Sequence, residues 1–170
     1  MTPAIEVARE AGVDIKLHEY EHDPANTRYG LEAAEALGLD PARVFKTLLV
    51  SLNGDRRRLA VAVVPVTGQL DLKAMARACG AKRVEMADPA QAERTTGYVV
   101  GGISPLGQKR RLPAVIDAST SDFDTVFVSG GRRGLDIEIA ADDLIRLCQA
   151  STAPIGLELR QQTNKQKLKT

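Results

Sequence analysis

Two apolar runs stand out along the chain. Residues 44–52 are interrupted only by Lys46, Thr47 and Ser51, and residues 59–66 carry no polar side chain at all. Asn53-Gly54-Asp55 between them predicts a hairpin, and the second run is too continuously apolar for a sheet edge. Elsewhere the alternation is shorter. Ile15 and Leu17 against Lys16 and His18 predict a strand that closes at Asp23-Pro24, and Leu135-Asp136-Ile137-Glu138-Ile139 alternates cleanly. Briefer strands are expected at 84–86, 112–117 and 125–129, with Gly130 to Gly134 turning the chain between the last two alternating runs. Helices are announced by their ends. Thr2-Pro3 opens one that Gly12 stops, Gly38 stops another over 33–37, and Asp40-Pro41 caps a single turn. Asp71 caps a helix reaching Cys79 and Gly80, Asp88-Pro89 opens one that ends near Gly97, and Asp142 opens the last, over 144–149. The double-glycine stretch after Gly97 is expected to emerge as a strand. Strands joined by hairpins, with helices inserted, predict one α+β domain around a mixed, mostly antiparallel sheet over residues 1–150. Residues 151–170 read as a polar, flexible extension.

Composition narrows the class. The chain has 170 residues, 44% hydrophobic and 26% charged, with no Trp and a net charge of +1. That is a soluble globular composition, and any nucleic-acid contact must come from a local basic patch. Cys79 and Cys148 have no CxxC spacing, which fits two thiols in a reducing compartment. No leader and no apolar run of membrane-spanning length is read, so the expected location is the cytoplasm.

The candidate chemistry is sparse. Lys46 sits inside an apolar run, where an ammonium either meets a partner or ligand or snorkels to water at the strand's open end. Asp136 either faces a cleft, accepting from a substrate amine, or belongs to a solvated strand face. Thr96-Gly97-Tyr98-Val99-Val100-Gly101-Gly102-Ile103-Ser104-Pro105-Leu106-Gly107 is either a tight turn or a loop whose bare N–H groups serve an oxyanion or phosphate. Arg56-Arg57-Arg58, Lys109-Arg110-Arg111 and Arg132-Arg133 are solvated faces, or phosphate contacts where they adjoin the glycine turns. His18 and His22 are four apart, but in a strand-then-turn context that spacing builds no metal site. No serine lies in a G-x-S-x-G elbow, and no lysine follows the glycines at P-loop spacing. Neither cofactor nor metal is expected.

Together these residues resemble the YbaK/EbsC family of free-standing aminoacyl-tRNA editing proteins, relatives of the editing domain of bacterial prolyl-tRNA synthetases. The carriers are Tyr20-Glu21-His22-Asp23, Val44-Phe45-Lys46-Thr47-Leu48, Gly68-Gln69-Leu70-Asp71-Leu72-Lys73, the long glycine stretch, and Val128-Ser129-Gly130-Gly131-Arg132-Arg133-Gly134-Leu135-Asp136-Ile137. The resemblance implies an α+β fold with a barrel-like core, and hydrolysis of the ester joining cysteine to tRNA(Pro). It implies Lys46, Gly101, Gly102 and Asp136 as the catalytic set, with Tyr20, Thr47, Ile103 and Ser129 lining the pocket. Lys109, Arg132 and Arg133 then become candidate tRNA-phosphate contacts, and prolyl-tRNA synthetase a candidate partner.

An aminoacyl ester is already activated, so a site can work by placing the acyl carbon and stabilising its oxyanion. Attack by the cysteinyl thiol itself or by water both fit a site without a strong nucleophile. Two alternatives stay open: a deacylase for another mischarged tRNA such as Ala-tRNA(Pro), and a non-catalytic module that binds tRNA or a synthetase.

Overall fold

The computed structural model describes residues 1–158. Helix α1 (Pro3–Glu10) starts where Thr2 accepts the Ile5 N–H at 3.3 Å, and strand β1 (Ile15–Glu19) follows. Helix α2 (Tyr29–Leu37) ends on Gly38 in the left-handed region, and a 3-10 turn (Pro41–Arg43) leads into β2 (Phe45–Leu52). The hairpin signal is correct: β3 (Asp55–Pro65) returns antiparallel to β2. Then come β4 (Gly68–Leu70), α3 (Leu72–Cys79) capped by Asp71, β5 (Val84–Met86) and α4 (Pro89–Thr96) capped by Asp88. The remainder is β6 (Ala114–Asp117), β7 (Thr125–Arg132), β8 (Leu135–Ala140), α5 (Ala141–Cys148), β9 (Ser151–Ala153) and β10 (Gly156–Glu158).

The strands form a five-stranded sheet ordered β5-β2-β3-β6-β9, a three-stranded sheet ordered β1-β8-β7 and a β10-β4 pair. Pairing is mixed and mostly antiparallel, with β3-β6 and β6-β9 the parallel pairs. This is the expected α+β class, but the sheets do not close into a barrel. The main core fills the space between the two larger sheets, where Leu49, Val61 and Val63 meet Val126, Val128, Ile137 and Ile139. A second cluster lies on the other face of the five-stranded sheet, with Met75 of α3 over Val50, Ala62 and Val64.

Three expectations need correcting. Residues 97–113 are not a strand: Gly97, Gly101 and Gly107 all have positive φ, which breaks extended pairing, while Tyr98, Ile103 and Leu106 still bury their side chains. Gly130-Gly131 does not turn the chain; β7 runs through to Arg132, and the two glycines absorb a register shift between Ser129 and Arg132. The domain does not stop at residue 150 either. Asp117 accepts the N–H groups of Ile155 and Gly156, both at 2.9 Å, and so ties β10 to the sheet, with Ile155 fully buried. Residues 159–170, the rest of the expected extension, lie outside the described residues.

Candidate active site

Asp136, Ser129 and Tyr20 lie on or beside the outer face of the three-stranded sheet. Alternation along β8 sends Leu135, Ile137 and Ile139 into the main core and Asp136 and Glu138 to the other side. Ser129 of β7 and His18 of β1 are the residues directly opposite Asp136, so all three share that side. Asp136 is only 5% exposed, yet its carboxyl makes no hydrogen bond or ion pair with any described residue. Burial pushes its pKa up to about 7. Tyr20, just past β1, has its phenol pushed up by burial and then by the Asp136 charge, so the two groups feel each other. Its main chain is pinned by the Tyr20 N–H donating to Gly134 O at 3.0 Å. Ser129 Oγ accepts the Gly131 N–H at 3.2 Å and braces the bulge.

Lys46 reaches this region through β2. Val44 bridges Phe127 in parallel, and both side chains pack with Ala34 and Val66. Lys46, two residues past that single bridge, lies on the same face of β2 as Val44. The Lys46 ammonium is half-buried and donates to Gly68 O at 2.8 Å, and desolvation lowers its pKa. Gly68 pairs with Glu158 of β10, and a Cβ at Gly68 would overlap the Leu157 carbonyl. The segment after residue 150 therefore fixes the carbonyl that holds the lysine. Sequence reasoning missed this, although Ile155 between Pro154 and Gly156 is an apolar signal in that stretch. Thr47 is not brought to the Lys46 side. Alternation points it to the opposite face of β2, where its Oγ1 is buried without a partner.

The glycine loop is set by two close approaches. Val99 O accepts the Gly102 N–H at 2.9 Å, closing a turn with Gly101 at φ +87°. Positive φ at that position calls for glycine. A Cβ at Gly101 would stand 2.6 Å from the Tyr29 ring, and one at Gly102 would stand 2.8 Å from Arg132 Cα. The expectation that both glycine N–H groups face a ligand is thus corrected: the Gly102 N–H is committed to the turn. The Gly101 N–H donates to no described residue. Ile103 turns into the main core rather than lining an opening. Tyr29 and Gly30 open α2, and a Cβ at Gly30 would overlap Val66, so one helical turn touches both the glycine loop and the β2–β3 end that bears Lys46.

The two arginines after the bulge act locally. Arg133 donates twice to Val100 O, from Nε at 2.9 Å and Nη2 at 2.6 Å, and its guanidinium lies 4.8 Å from the Tyr29 ring centroid. Arg132 pairs with Glu19 at 3.2 Å. Lys109 is exposed at the far end of the loop, its N–H donating to Thr96 O. His22 Nδ1 meets buried Glu32 at 2.6 Å and His18 Nε2 meets Glu138 at 3.0 Å. Each histidine thus has a carboxylate of its own. No group of three or more His, Cys, Asp or Glu suited to a metal occurs among the described residues, and no described helix is long and apolar enough to cross a membrane. Tyr29, Glu32 and the clamp made by Arg133 escaped the sequence reading because each acts through a partner far along the chain.

Among the described residues the arrangement offers a nearly buried carboxyl without a partner, a half-buried cation on β2 and a bare main-chain donor on a glycine turn. Such groups suit a polar, cation-bearing ester better than they suit a nucleophile of the protein's own. Residues 25–147 match the aminoacyl-tRNA editing domain. EbsC of Enterococcus faecalis, assigned provisionally as a Cys-tRNA(Pro)/Cys-tRNA(Cys) deacylase, is 38% identical over 138 residues, covering 81% of this chain and 83% of EbsC. The multifunctional Ser/Thr-tRNA deacylase ProXp-y of Escherichia coli is 26% identical over 106 residues, 61% of this chain and 64% of that protein. A crystal structure described provisionally as a trans-editing enzyme for prolyl tRNA synthetase superposes with TM-score 0.74 at 25% identity, covering 92% of this chain and 99% of that one.

Proposed function

The chain belongs to the aminoacyl-tRNA editing domain family, and from that premise we propose that it is a hydrolase cleaving the ester of Cys-tRNA(Pro), a charging error of prolyl-tRNA synthetase. The observation that carries the reading is Asp136: a nearly buried carboxyl with no partner among the described residues, which an α-ammonium would complete. Cysteine is favoured as the acyl group because the relative matched over most of both chains bears that assignment.

In this reading the Asp136 carboxylate holds the substrate ammonium, and Ser129 and Tyr20 close the same side. The Gly101 N–H donates to the carbonyl oxygen as negative charge develops on it. Lys46, leaving Gly68 O, meets the terminal ribose or its phosphate. Water attack forms the new acyl C–O bond and gives free cysteine directly, whereas attack by the substrate thiol forms an acyl C–S bond, a thiolactone that water then opens. In both, the proton lost by the attacking group goes to the ribose oxygen. The acyl C–O bond to the ribose breaks, and the ribose oxygen leaves with a proton. Thiol attack would select cysteine against alanine and proline chemically, where contacts to so small a group discriminate weakly. With no broad positive field, the choice of tRNA would fall to a prolyl-tRNA synthetase partner.

The test is a panel of Cys-, Ser-, Ala- and Pro-charged tRNA(Pro), with and without the synthetase. Hydrolysis of the cysteinyl ester at least about tenfold faster than the others is expected. Lys46→Ala should remove about 100-fold or more of the rate with the fold intact. Equal rates on all four esters would refute the substrate, and normal turnover by Lys46→Ala would refute the site.

A further inference from the structure

The hairpin end of the five-stranded sheet carries a feature that the site above does not use. Arg56, Arg57 and Arg58 begin β3, and Lys109, Arg110 and Arg111 lead into β6. These strands are parallel with Val61 opposite Ala114, and the Val61 N–H donates to Pro113 O at 2.8 Å. Arg58 and Arg111 each lie three residues before that first pair. The two basic triplets, about fifty residues apart in sequence, are both tied to helix α4, one through Gln91 and the other through Thr96. The Gln91 side-chain amide donates to Arg56 O and the Lys109 N–H donates to Thr96 O at 2.9 Å, while beside the first triplet Asn53 Oδ1 accepts the Lys82 N–H at 2.8 Å.

The acids nearby do not neutralise this surface. Asp55 pairs with Arg57 at 3.5 Å and Glu85 with Arg83 at 3.6 Å. Arg56, Arg58, Lys109, Arg110 and Arg111 are exposed and form no ion pair among the described residues. Because the whole chain carries only +1, the excess is local. No aromatic side chain lies within either triplet or beside it in sequence, so the surface suits a phosphate backbone rather than stacked bases. Six residue steps along β2 lead from Lys46 to Leu52 at the hairpin, about 20 Å of strand. One elongated polyanion can span both ends; a free aminoacyl-adenosine cannot.

We propose that this basic edge binds the phosphate backbone of the tRNA body while the acylated end occupies the Lys46–Asp136 side. The inference rests on the aminoacyl-tRNA reading, so binding and hydrolysis are measured separately. Fluorescence anisotropy with uncharged tRNA(Pro) compares the full chain with an Arg56→Gln/Arg58→Gln/Arg110→Gln variant, after matching thermal midpoints confirm folding. At 50 mM salt the variant should bind about tenfold or more weakly, with a log Kd against log salt slope shallower by about 2 to 3. The corresponding Arg→Lys triple variant should recover most of the affinity, since phosphate needs only the charge. On Cys-tRNA(Pro) the Gln variant should raise KM, while its rate on a cysteinyl ester of the bare CCA end stays that of the wild type. Unchanged tRNA affinity and salt slope would overturn the proposal. So would a loss confined to binding of phosphatidylglycerol vesicles, which would mark a membrane surface instead. A wild-type protein that binds tRNA through this edge but hydrolyses no ester would overturn the catalytic reading and leave the edge standing.

Discussion

Asp136 and Glu138 stand two residues apart on the same side of one strand, and their surroundings are opposite. Glu138 is fully engaged: Thr125 Oγ1 donates to it at 2.7 Å, His18 meets it at 3.0 Å and Arg43 approaches at 3.9 Å. The Thr125 hydroxyl first, and then His18, hold its carboxyl below the usual range. Asp136 has none of this, and burial pushes it up to about 7. One carboxylate is completed by the protein; the other is left incomplete at a cost in stability. The buried side-chain atoms left without a partner among the described residues are Thr47 Oγ1 and Ser119 Oγ, so the Asp136 carboxyl, still 5% exposed, is a desolvated group that a ligand can reach.

The largest effect should come from Asp136→Asn. It should lose about 100-fold or more in kcat/KM for Cys-tRNA(Pro) while gaining about 1–3 kcal/mol of stability at pH 8. The sign follows from the raised pKa. The folded state holds this proton more tightly than the unfolded chain does, so wild-type stability falls as pH rises from near 4 to about 7 and the penalty is complete above that. Thermal midpoints of the two proteins should therefore coincide near pH 4 and separate by pH 8. Gly101→Ala comes next. Left-handed backbone together with overlap on the Tyr29 ring should cost about 1–3 kcal/mol, measured by urea unfolding, and about tenfold or more in rate.

Glu138→Gln should do the reverse of the Asp136 change. Activity should stay within about threefold while stability drops by about 1–2 kcal/mol at pH 7. Because the Glu138 pKa is lowered on folding, that contribution is present above the ordinary glutamate range and is lost as pH falls through the folded pKa, so acid should erase the difference. The smallest effect is expected for Arg133→Ala, which frees Val100 O and the Tyr29 face at the surface. A fall in kcat of about two- to fivefold without a change in thermal midpoint would identify a positioning residue; Arg133→Lys should restore little, since a lysine cannot make both hydrogen bonds to Val100 O.

Much of the frame was legible in the sequence, because caps, terminating glycines and the Asn-Gly hairpin act within a few residues of themselves. Asp71, Asp88, Gly38 and Gly80 stand where the helix ends are. The site was legible in part. Lys46 and Asp136 are conspicuous as charges in apolar runs, and each is withdrawn from water in the fold, Lys46 on Gly68 O and Asp136 with 5% of its surface left exposed. What did not show was anything fixed by distant pairing: Thr47 facing away from Lys46, the Gly102 N–H spent on its own turn, and Gly68 buttressed by β10. The β10 strand itself is only three residues long, too short for its period to register.

The central claim is that Asp136 has no partner among the described residues because the substrate brings one. An NMR titration of the Asp136 carboxyl carbon, with and without a non-hydrolysable cysteinyl-amide of 3′-amino-adenosine, tests this directly. The free protein should titrate near 7 at this group, and the bound complex should titrate at least about one unit lower, as an ammonium beside a carboxylate requires. A free value near that of an ordinary aspartate, or a raised value that the ligand leaves where it was, would contradict the account.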